Sequence, residues 1–463
     1  MKILLIIPQK PYGFLKKIIL LLAKNKNIEL SVHKKDFTLA TPSKFYNIID
    51  KRFTNYRKSP LNFTEYKDVL EKYNVKDTNK ISGNYNLILD FCDSNLKIDK
   101  CFSIKTNFDK SELLNFARER GKIVFCDNSQ KNNSSFFSYN YINREGVINN
   151  YYKYLYSIPT AINFFLNNNP SKKYPSNEKR YTTLFQYYTS LGAKLLYRKI
   201  VKKEFNWKLA LYNNQNKSLK LISNEKGEFW ADPFLISHHQ KKYIFFEELK
   251  KSNQKGIISL LILNNEGNVV EKKEIIDKSF HMSFPNVFEF CNSHYMLPEQ
   301  IEANSLMLYK ATNFPYEWTE FREIFSNVKA VDPVLLFHEN LFYLFTNIVE
   351  DYEYENNERM SIFYTDDLLN GEWKAHKKNP VKNDASSTRN GGKIYKEGEN
   401  IIRIAQDCSS SYGFSTKKMK IKKLTPSEFE EFEIETIKID NFEGNHTYNK
   451  EGDIALIDVL IQE

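Results

Sequence analysis

Cysteine, long apolar runs and glycine-rich phosphate loops are all scarce in this sequence. The five Cys residues are odd in number and form no CxxC pair, so neither a disulfide framework nor a zinc site is expected. The longest apolar runs fall far short of the ~18 residues of a membrane-spanning helix. The apolar run at the start ends at Pro8, too early for a signal peptide. These absences predict a cytoplasmic protein.

The net charge is positive, but the sequence lacks the motifs typical of nucleic-acid binding. The formal charge is +10, without an arginine-rich run or zinc-finger spacing. Two explanations stay open, namely a solvated lysine-rich surface and an anionic partner such as a nucleotide phosphate, a lipid phosphate or a membrane face. We therefore expect no nucleic-acid partner, and peripheral contact with the inner face of an anionic membrane stays an alternative.

The first 165 residues alternate apolar strands with amphipathic helices. Predicted strands lie at 3–7, 28–32, 85–90 and 122–126, and predicted helices lie at 14–24 and 111–120. This alternation predicts a Rossmann-like α/β domain with a parallel sheet over residues 1–165. The arrangement is loosely similar to the N-terminal domains of formyltransferases. Neither GxGxxG, GxxxxGK[ST] nor a formyltransferase HxSLLPxxxG-like signature occurs, so no activity follows from that likeness.

Residues 166–204 are predicted to form a linker and a basic amphipathic helix. The segment Asn167–Ser176 is polar and contains proline, as linkers do. Apolar spacing predicts a helix over Lys179–Lys203, whose C-terminal half is rich in Lys and Arg. This helix either packs between two domains or rests on an anionic membrane.

An internal repeat dominates residues 205–463. Pro233, Pro285 and Pro333 are 52 and 48 residues apart, and each begins an apolar strand that a polar turn joins to a second strand. Looser copies start at Arg389 and His446. About four strands per ~50 residues, repeated five times, predict an all-β five-bladed β-propeller.

The fifth copy is short of strands because the chain ends soon after it. The segments Trp207–Leu211 and Leu219–Ser223, which precede the first copy, are predicted to complete it. Strands from both ends of the propeller would then close the ring and leave no open edge.

In a propeller blade, the start of the first strand and the end of the second strand open at one mouth of the channel. The strand starts contribute Asp232, His281, Ser283, Asp332, Arg389, Asn390 and His446. The ends of the second strands contribute Glu247 or Glu248, Glu299, Asn347, Gln406 and Asp458. Carboxylates that converge in one funnel push each other's pKa values apart, and this separates acid from base roles.

These rings supply the candidate site residues. The catalytic candidates are Asp232, Asp332, Glu299 and Glu248. The substrate-binding candidates are Trp230, His281, Ser283, Asn347, Arg389, Asn390, Gln406 and His446. The sequence contains no metal-binding signature, and a cation near the propeller axis stays open.

Two family resemblances follow from the same residues. The blade starts at Asp232-Pro233 and Asp332-Pro333 resemble those of furanosidase-type hydrolases such as glycoside hydrolase family 43. That resemblance implies that Asp232 is a general base, that Asp332 tunes the acid, and that His446 lies at the foot of the site. The family's acidic Glu-Gly-Pro-type motif is missing from the fourth blade, where Arg389 stands, so Glu248 or Glu299 would have to replace it.

A closer resemblance covers about residues 225–450. The segments 281–285, 296–299, 308–318 and 389–392 resemble the N-terminal propeller domain of plant glucosamine inositolphosphorylceramide transferases and of bacterial relatives. In the plant enzymes a separate C-terminal domain carries a recognised glycosyltransferase fold. This sequence lacks that domain, so their activity does not follow automatically.

Three functions fit the sequence. The first is a glycosyltransferase that builds a bacterial surface polysaccharide, either capsule or lipopolysaccharide, from a nucleotide-sugar donor. In it Asp232 deprotonates the acceptor hydroxyl, and Arg389 and His281 stabilise the departing phosphate. The second is a furanosidase-type hydrolase with Asp232 as base and Glu299 as acid. The third is a non-catalytic glycan-binding module. No cofactor is expected beyond the donor, and the expected partners are the donor and a glycan or glycolipid acceptor.

Overall fold

The computed structural model divides the chain into two compact units, Met1–Val201 and Lys202–Glu463. It describes residues 1–9, 12–36, 67–78, 81, 85, 87–92, 101–104, 121–127, 135–141, 147–168, 186, 189–190, 193, 205–216, 218–222, 228–250, 254–264, 266–349, 358–409, 411–452 and 454–462. Among these residues, no helix is both long enough and apolar enough to cross a membrane.

The first unit contains one seven-stranded sheet. Its elements are β1 (Lys2–Pro8), α1 (Gly13–Ala23), β2 (Glu29–Lys35), α2 (Lys67–Lys72), β3 (Lys76–Asp77), β4 (Leu87–Asp90), β5 (Cys101–Ile104), β6 (Gly121–Asp127), β7 (Ser135–Tyr141) and α3 (Val147–Asn168). The strand order is β3-β2-β1-β4-β5-β6-β7, and the first five strands are parallel. The core strand β1 is buried from Ile3 to Ile7, as its unbroken apolar run predicts.

The sequence prediction for this unit is right in its parallel part and wrong at one edge. The sequence pattern assigns the segment 122–126 to the parallel sheet, but β6 pairs antiparallel with β5 and also with β7. A short strand such as β5 carries little sequence signal, so the direction of its neighbour cannot be read from the pattern. The Rossmann-like character stays a prediction. The predicted helix at 111–120 and the predicted linker lie outside the described residues, as does nearly all of the basic helix at 179–203.

The second unit consists of five antiparallel sheets. Its strands are β8 (Phe205–Asn213), β9 (Leu219–Leu221), β10 (Glu228–His238), β11 (Lys241–Lys250), β12 (Gly256–Leu263), β13 (Val269–Ile276), β14 (Ser283–Phe290), β15 (Ser293–Glu299), β16 (Ser305–Asn313), β17 (Glu317–Ser326), β18 (Lys329–His338), β19 (Leu341–Val349), β20 (Arg359–Thr365), β21 (Lys374–Ala375), β22 (Lys382–Asn383), β23 (Tyr395–Glu397), β24 (Asn400–Asp407), β25 (Ser415–Leu424), β26 (Phe429–Ile437), β27 (Tyr448–Glu451) and β28 (Ile454–Gln462). The sheets form blades 1 to 5, which begin at β10, β14, β18, β23 and β27. This confirms the five-bladed propeller.

Blade 5 joins strands from both ends of the propeller unit. Its order is β27-β28-β8-β9, and β28 pairs along its full length with β8, from Ile454 opposite Asn213 to Gln462 opposite Phe205. The predicted closure of the ring is therefore confirmed. Blade 4 starts later than predicted, because β23 begins at Tyr395 and the segment from Arg389 contributes only one bridge, between Asn390 and Ala405.

Buried apolar side chains between neighbouring blades hold the propeller together. One cluster joins blades 1 and 2 through residues such as Phe234, Phe245, Phe284 and Met296. Another joins blade 5 to blade 1 and includes Leu456. Buried residues at the blade starts include polar ones such as Asp232, Asp332 and His446, and the candidate site lies there.

Candidate functional site

Three blades begin with the same bulged turn, in which a residue with positive φ precedes a proline. These residues are Asp232, Phe284 and Asp332, with φ values of 49°, 48° and 45°. The pairing between the first two strands of each blade shifts at that point, as at a β-bulge, which re-aims a side chain. Two blades therefore present a carboxylate at equivalent corners. Blade 2 presents Phe284 instead, which packs edge-on against Phe234 with ring centroids 4.8 Å apart.

His446 lies between two buried carboxylates. Its Nε2 is 3.1 Å from Asp232 Oδ1, and its Nδ1 is 2.9 Å from Asp458 Oδ2. Asp458 Oδ1 accepts the backbone N–H groups of His446 and Thr447, both at 2.9 Å. Asp458 Oδ2 also accepts the N–H of Asp232 at 3.1 Å. Asp458 therefore positions both the histidine and the Asp232 corner.

These contacts set the charges of the group. Burial lowers the pKa of His446, but the charges of Asp458 and Asp232 outweigh it and raise that pKa to about 10. Burial is the largest influence on Asp232, and with Glu247 and Asp332 it outweighs His446 and raises the pKa of Asp232 to about 6. At neutral pH an imidazolium thus faces two carboxylates. Asp232 has a pKa suited to a general base.

Asp332 is held more tightly than Asp232. Arg389 Nε donates to Asp332 Oδ2 at 2.5 Å, and Gln406 Nε2 donates to the same oxygen at 2.8 Å. Asn390 Nδ2 donates to the carbonyl of Asp332 at 2.8 Å, and the N–H of Asp332 donates to Glu299 Oε2 at 2.8 Å. Predicted substrate-binding residues thus hold a predicted catalytic residue.

Glu299 and Arg389 differ sharply in their protonation. Burial first, and then the charge of Asp332, raise the pKa of Glu299 well above its ordinary value, although Arg389 opposes this from 4.0 Å. Burial would lower the pKa of Arg389, but Asp332 and other neighbours raise it well above its ordinary value. Arg389 is therefore a cation already matched by Asp332, and the environment of Glu299 favours its protonated form.

A buried ion pair that the sequence reasoning missed supports this corner from behind. Arg403, fully buried, donates to both carboxylate oxygens of Glu431 at 2.6 and 2.8 Å and to Asn390 Oδ1 at 3.0 Å. Burial would raise the pKa of Glu431, but Arg403 and Lys382 lower it to about 2. The pair fixes Asn390, which in turn fixes Asp332.

The end of the second strand in blade 1 requires a correction. The carboxylate that faces the site is Glu247, whose Oε1 is 3.1 Å from His281 Nε2. Glu248, one of the two candidates for the acid beside Glu299, instead accepts hydrogen bonds from Ser259 Oγ at 2.6 Å and Lys272 Nζ at 2.9 Å. Successive side chains of a strand point to opposite faces, so only one of the pair reaches the funnel. The structure therefore favours Glu247 as the funnel carboxylate.

The backbone of Gly256 approaches the His281 ring closely and holds it in place. The N–H of Gly256 donates to His281 Nδ1 at 3.0 Å. A Cβ at residue 256 would lie only 2.7 Å from His281 Cε1 and 2.9 Å from Glu247 Oε1. Glycine is therefore needed here for the histidine and the carboxylate to meet.

The remaining predicted site residues, Ser283, Asn347 and Trp230, are all buried, but they lie in different surroundings. Ser283 is buried opposite Glu299 on the β14–β15 ladder, and buried Asn347 lies opposite Val331. Trp230 is buried in the core and packs against Phe246 with ring centroids 5.0 Å apart, and its substrate-binding role stays a prediction. An indole at a strand start suits the core between blades as well as it suits a sugar-binding face.

Two further aromatic residues surround His446. The Trp207 ring lies 4.1 Å from the His446 ring between centroids, and the Tyr412 ring lies 5.3 Å from it. Tyr412 also lies 5.0 Å from the guanidinium carbon of Arg389, and 47% of the residue is exposed. An exposed aromatic ring beside polar groups provides a face on which a sugar ring can stack. The repeat pattern does not point to Tyr412, because this residue lies in a loop outside the repeat.

A cavity of about 490 Å³ reaches His281 and Glu299. Its lining residues are His281, Glu299, Ile301, Glu302, Asn304, Lys329 and Val349. It has the size of a small-molecule site and includes two carboxyl groups and one lysine. The arrangement offers a base near neutrality, a buried carboxyl with a raised pKa and a place for a polar ligand.

Asp232, His446 and Asp458 also have ligand atoms within 4.8 Å of one another. All three residues are buried, and the charges of the two carboxylates raise the pKa of His446.

Comparisons with known proteins identify relatives of the propeller. Residues 217–458 match the family model described as "Glucosamine inositolphosphorylceramide transferase 1, N-terminal". Glucosamine inositolphosphorylceramide transferase 1 of Oryza sativa subsp. japonica is 35% identical over 211 residues, which are 45% of this chain and 28% of that protein. The Arabidopsis thaliana protein of that name is 32% identical over 226 residues, 48% of this chain and 29% of that protein. The chain therefore matches less than a third of each relative's length.

Solved structures with similar propellers are more distant in sequence. A family 117 glycoside hydrolase from Zobellia galactanivorans has a TM-score of 0.39 at 10% identity, over 56% of this chain and 90% of that one. The catalytic domain of the Coprinopsis cinerea GH62 α-L-arabinofuranosidase has a TM-score of 0.39 at 11% identity, over 56% of this chain and 97% of that one. The family match, in contrast, covers more than half of the chain, and on this basis the chain belongs to the family defined by the N-terminal region of glucosamine inositolphosphorylceramide transferase 1.

Proposed function

We propose that the propeller funnel transfers a sugar from an activated donor to a hydroxyl group of a glycolipid or glycan acceptor. The observation that carries this proposal is Asp232, a buried carboxylate with a pKa raised to about 6 and held by His446. The names of the relatives supply the reaction class, since they are transferases named for glucosamine and inositolphosphorylceramide.

In the proposed reaction Asp232 takes the proton of the acceptor hydroxyl. The acceptor oxygen then forms a bond to the anomeric carbon of the donor sugar, while the bond from that carbon to the phosphate oxygen breaks. The leaving nucleotide keeps the electron pair. The imidazolium of His446, next to Asp232, favours the ionised carboxylate before transfer.

Arg389 and His281 are the residues predicted to stabilise the departing phosphate, and Lys329 joins them as a candidate. Arg389 is matched by Asp332, so it serves mainly to fix that carboxylate. His281 and Lys329 both line the cavity, where we place the donor phosphate. Burial lowers the pKa of His281, but Glu247 and Glu302 outweigh it and raise that pKa. Lys329 supplies positive charge where negative charge develops on the phosphate, and this is what the step requires.

One observation favours a second candidate, a glycoside hydrolase of furanosidase type. Burial and Asp332 raise the pKa of Glu299 well above its ordinary value, as a general acid requires. In that reaction Glu299 protonates the leaving sugar oxygen and Asp232 activates water. The predicted role of Glu299 as acid applies to this alternative.

The experiment is a donor and acceptor panel. The purified chain is incubated with nucleotide sugars, with and without lipid acceptors that include inositolphosphorylceramide, and free nucleotide is measured. Acceptor-dependent release that Asp232→Asn abolishes and the control Asp440→Asn retains would support the transferase; Asp440 is an exposed residue of the propeller. Release of free sugar from aryl furanosides would instead support the hydrolase. Glycan binding without turnover in either assay would support a binding module.

Two more detailed proposals concern the glycan that the enzyme makes and its location in the cell. The names of the relatives point to a lipid acceptor, whereas a capsule or lipopolysaccharide product rests on the sequence argument alone. The cytoplasmic location and peripheral membrane contact also stay proposals. Cell fractionation, followed by binding to vesicles with and without anionic lipid, tests them.

A further inference from the structure

The opposite end of blades 1 and 2 carries a second cluster of side chains suited to chemistry. His238 ends β10, and Glu289 pairs with His294 across the β14–β15 ladder. One potential ligand atom of each residue lies within 4.8 Å of the other two. His238 follows Asp232 by six residues along β10. At about 3.3 Å per residue, the cluster lies roughly 20 Å from the funnel corner.

His294 is the fixed member of the cluster. Only 7% of the residue is exposed, and its ring stacks on Phe314 with centroids 3.7 Å apart. Within the part of the chain that the structure describes, its Nε2 atom is buried without a hydrogen-bond partner. The ring of His238 meets His294 edge-on at 4.7 Å. A buried nitrogen without a partner is costly, and a ligand in the cluster would account for it.

We propose that His238, Glu289 and His294 bind a divalent zinc ion, which joins the hairpins of blades 1 and 2. His294 Nε2 and Glu289 Oε2 are 3.9 Å apart, too far for a hydrogen bond. Two ligands that each lie about 2.0–2.2 Å from one tetrahedral zinc ion are roughly 3.4 Å apart. A small rotation of Glu289, whose side chain is 51% exposed, closes that difference.

The donor set also suits a cation of this class. Two imidazoles and one carboxylate leave a coordination position open, as in zinc sites that keep a water. The three ligands are spread between residues 238 and 294, so they do not form a local sequence motif that would predict the site.

The test uses the untagged full chain after treatment with a chelator. Titration with ZnCl₂ in a calorimeter is expected to give one ion per chain and a higher Tm on loading. We expect His238→Gln and Glu289→Gln each to weaken binding at least tenfold. Neither residue is fully buried, so both variants avoid the folding risk of His294→Gln. Bound Co²⁺ should show visible d–d bands that both variants lose.

The control variant is His338→Gln. His338 ends β18 as His238 ends β10, and it lies 3.8 Å from Glu339, but it belongs to blade 3. Cys291→Ser controls for binding by the exposed thiol in the nearby turn. Both controls should bind zinc like the parent chain. The proposal is overturned if the parent binds no zinc, if His238→Gln and Glu289→Gln bind it equally well, or if a control loses binding to the same degree.

Discussion

The Asp232 and Asp332 corners share one backbone design but differ in how their carboxylates are held. Both aspartates have positive φ, precede a proline and donate their N–H to a carboxylate of the preceding blade. Asp332 then receives Arg389 and Gln406 on one oxygen, whereas Asp232 faces the charged ring of His446. The same bulge thus supports a fixed ion pair in one blade and a titratable base in another.

This difference separates positioning from chemistry. A carboxylate matched by a guanidinium stays ionised and organises its neighbours, so Asp332 suits a positioning role. Asp232 has a pKa near the working pH, which a general base requires. Substitutions at the two corners and changes of pH can test this difference. We expect the largest effect, a loss of turnover, from substitution of Asp232 itself.

Asp232→Asn should nearly abolish turnover and leave the fold intact. Loss of a general base costs about 10²–10⁴-fold in rate. Asn keeps the shape, and Asp458 at 2.9 Å still matches the charge of His446, so we expect the free energy of unfolding to change by about 1 kcal/mol or less. Nucleotide release and urea denaturation measure the two quantities. A rate within about threefold of the parent, far less than loss of a base costs, would contradict the assignment.

Asp332→Asn should show the opposite balance, with stability as the main loss. Arg389 would stay buried without its matching charge, which costs about 3–5 kcal/mol when one partner of a buried pair is removed. The midpoint of urea denaturation should therefore fall well below that of Asp232→Asn. Equal midpoints for the two variants would show that the corners are held alike.

The rate should fall as the pH drops below about 6. Protonation of Asp232, with its pKa near 6, removes the base, so we expect about a tenfold fall in kcat/KM per pH unit below that value. Circular dichroism over the same range controls for unfolding. A flat profile from about pH 7 to about pH 5 would exclude Asp232 as the titrating base.

Stability should fall with rising pH because of His446, whereas the rate should rise with pH because of Asp232. The folded pKa of His446 is raised from 6.5 to about 10, so its stabilising contribution is full below pH 6.5 and is lost as the pH rises towards 10. The free energy of unfolding should decline over that window in the parent chain. The decline should be smaller in His446→Gln, and equal slopes would contradict the charge assignment.

The smallest effect concerns neighbouring glutamates in blade 1. Glu247→Gln removes the partner of His281 and should lower turnover by roughly tenfold through loss of a charged hydrogen bond. Glu248→Gln should leave turnover unchanged and affect only stability, because Glu248 binds Ser259 and Lys272. Reversed effects would restore Glu248 as the funnel residue.

The internal repeat makes the propeller predictable from sequence, and propeller geometry then locates much of the site. Asp-Pro motifs in register, and second strands that return to the same mouth, are enough to predict that Asp232, Asp332 and Glu299 converge. The direction of β6 in the N-terminal sheet is not predictable from sequence. Its neighbour β5 has only four residues, which are too few to show a clear hydrophobic pattern. An antiparallel strand there and a parallel one look the same in sequence.

Side-chain orientation sets the other limit. The choice between Glu247 and Glu248 depends on which face of β11 meets the funnel, and both residues suit a buried site chemically. The orientation of the Trp230 side chain is equally hard to predict from sequence, since an indole suits both a hydrophobic core and a surface that stacks on sugar rings. Tyr412 and the Arg403–Glu431 pair lie outside the repeating corners, so their roles become visible only once the blades are assembled.

The most direct test of the proposed transferase is a crystal structure of Asp232→Asn with a nucleotide sugar that the parent chain turns over. We expect the sugar beside residue 232 and His446, with its phosphate in the cavity lined by His281 and Lys329. A donor bound elsewhere in the chain, with the funnel empty, would contradict the proposal.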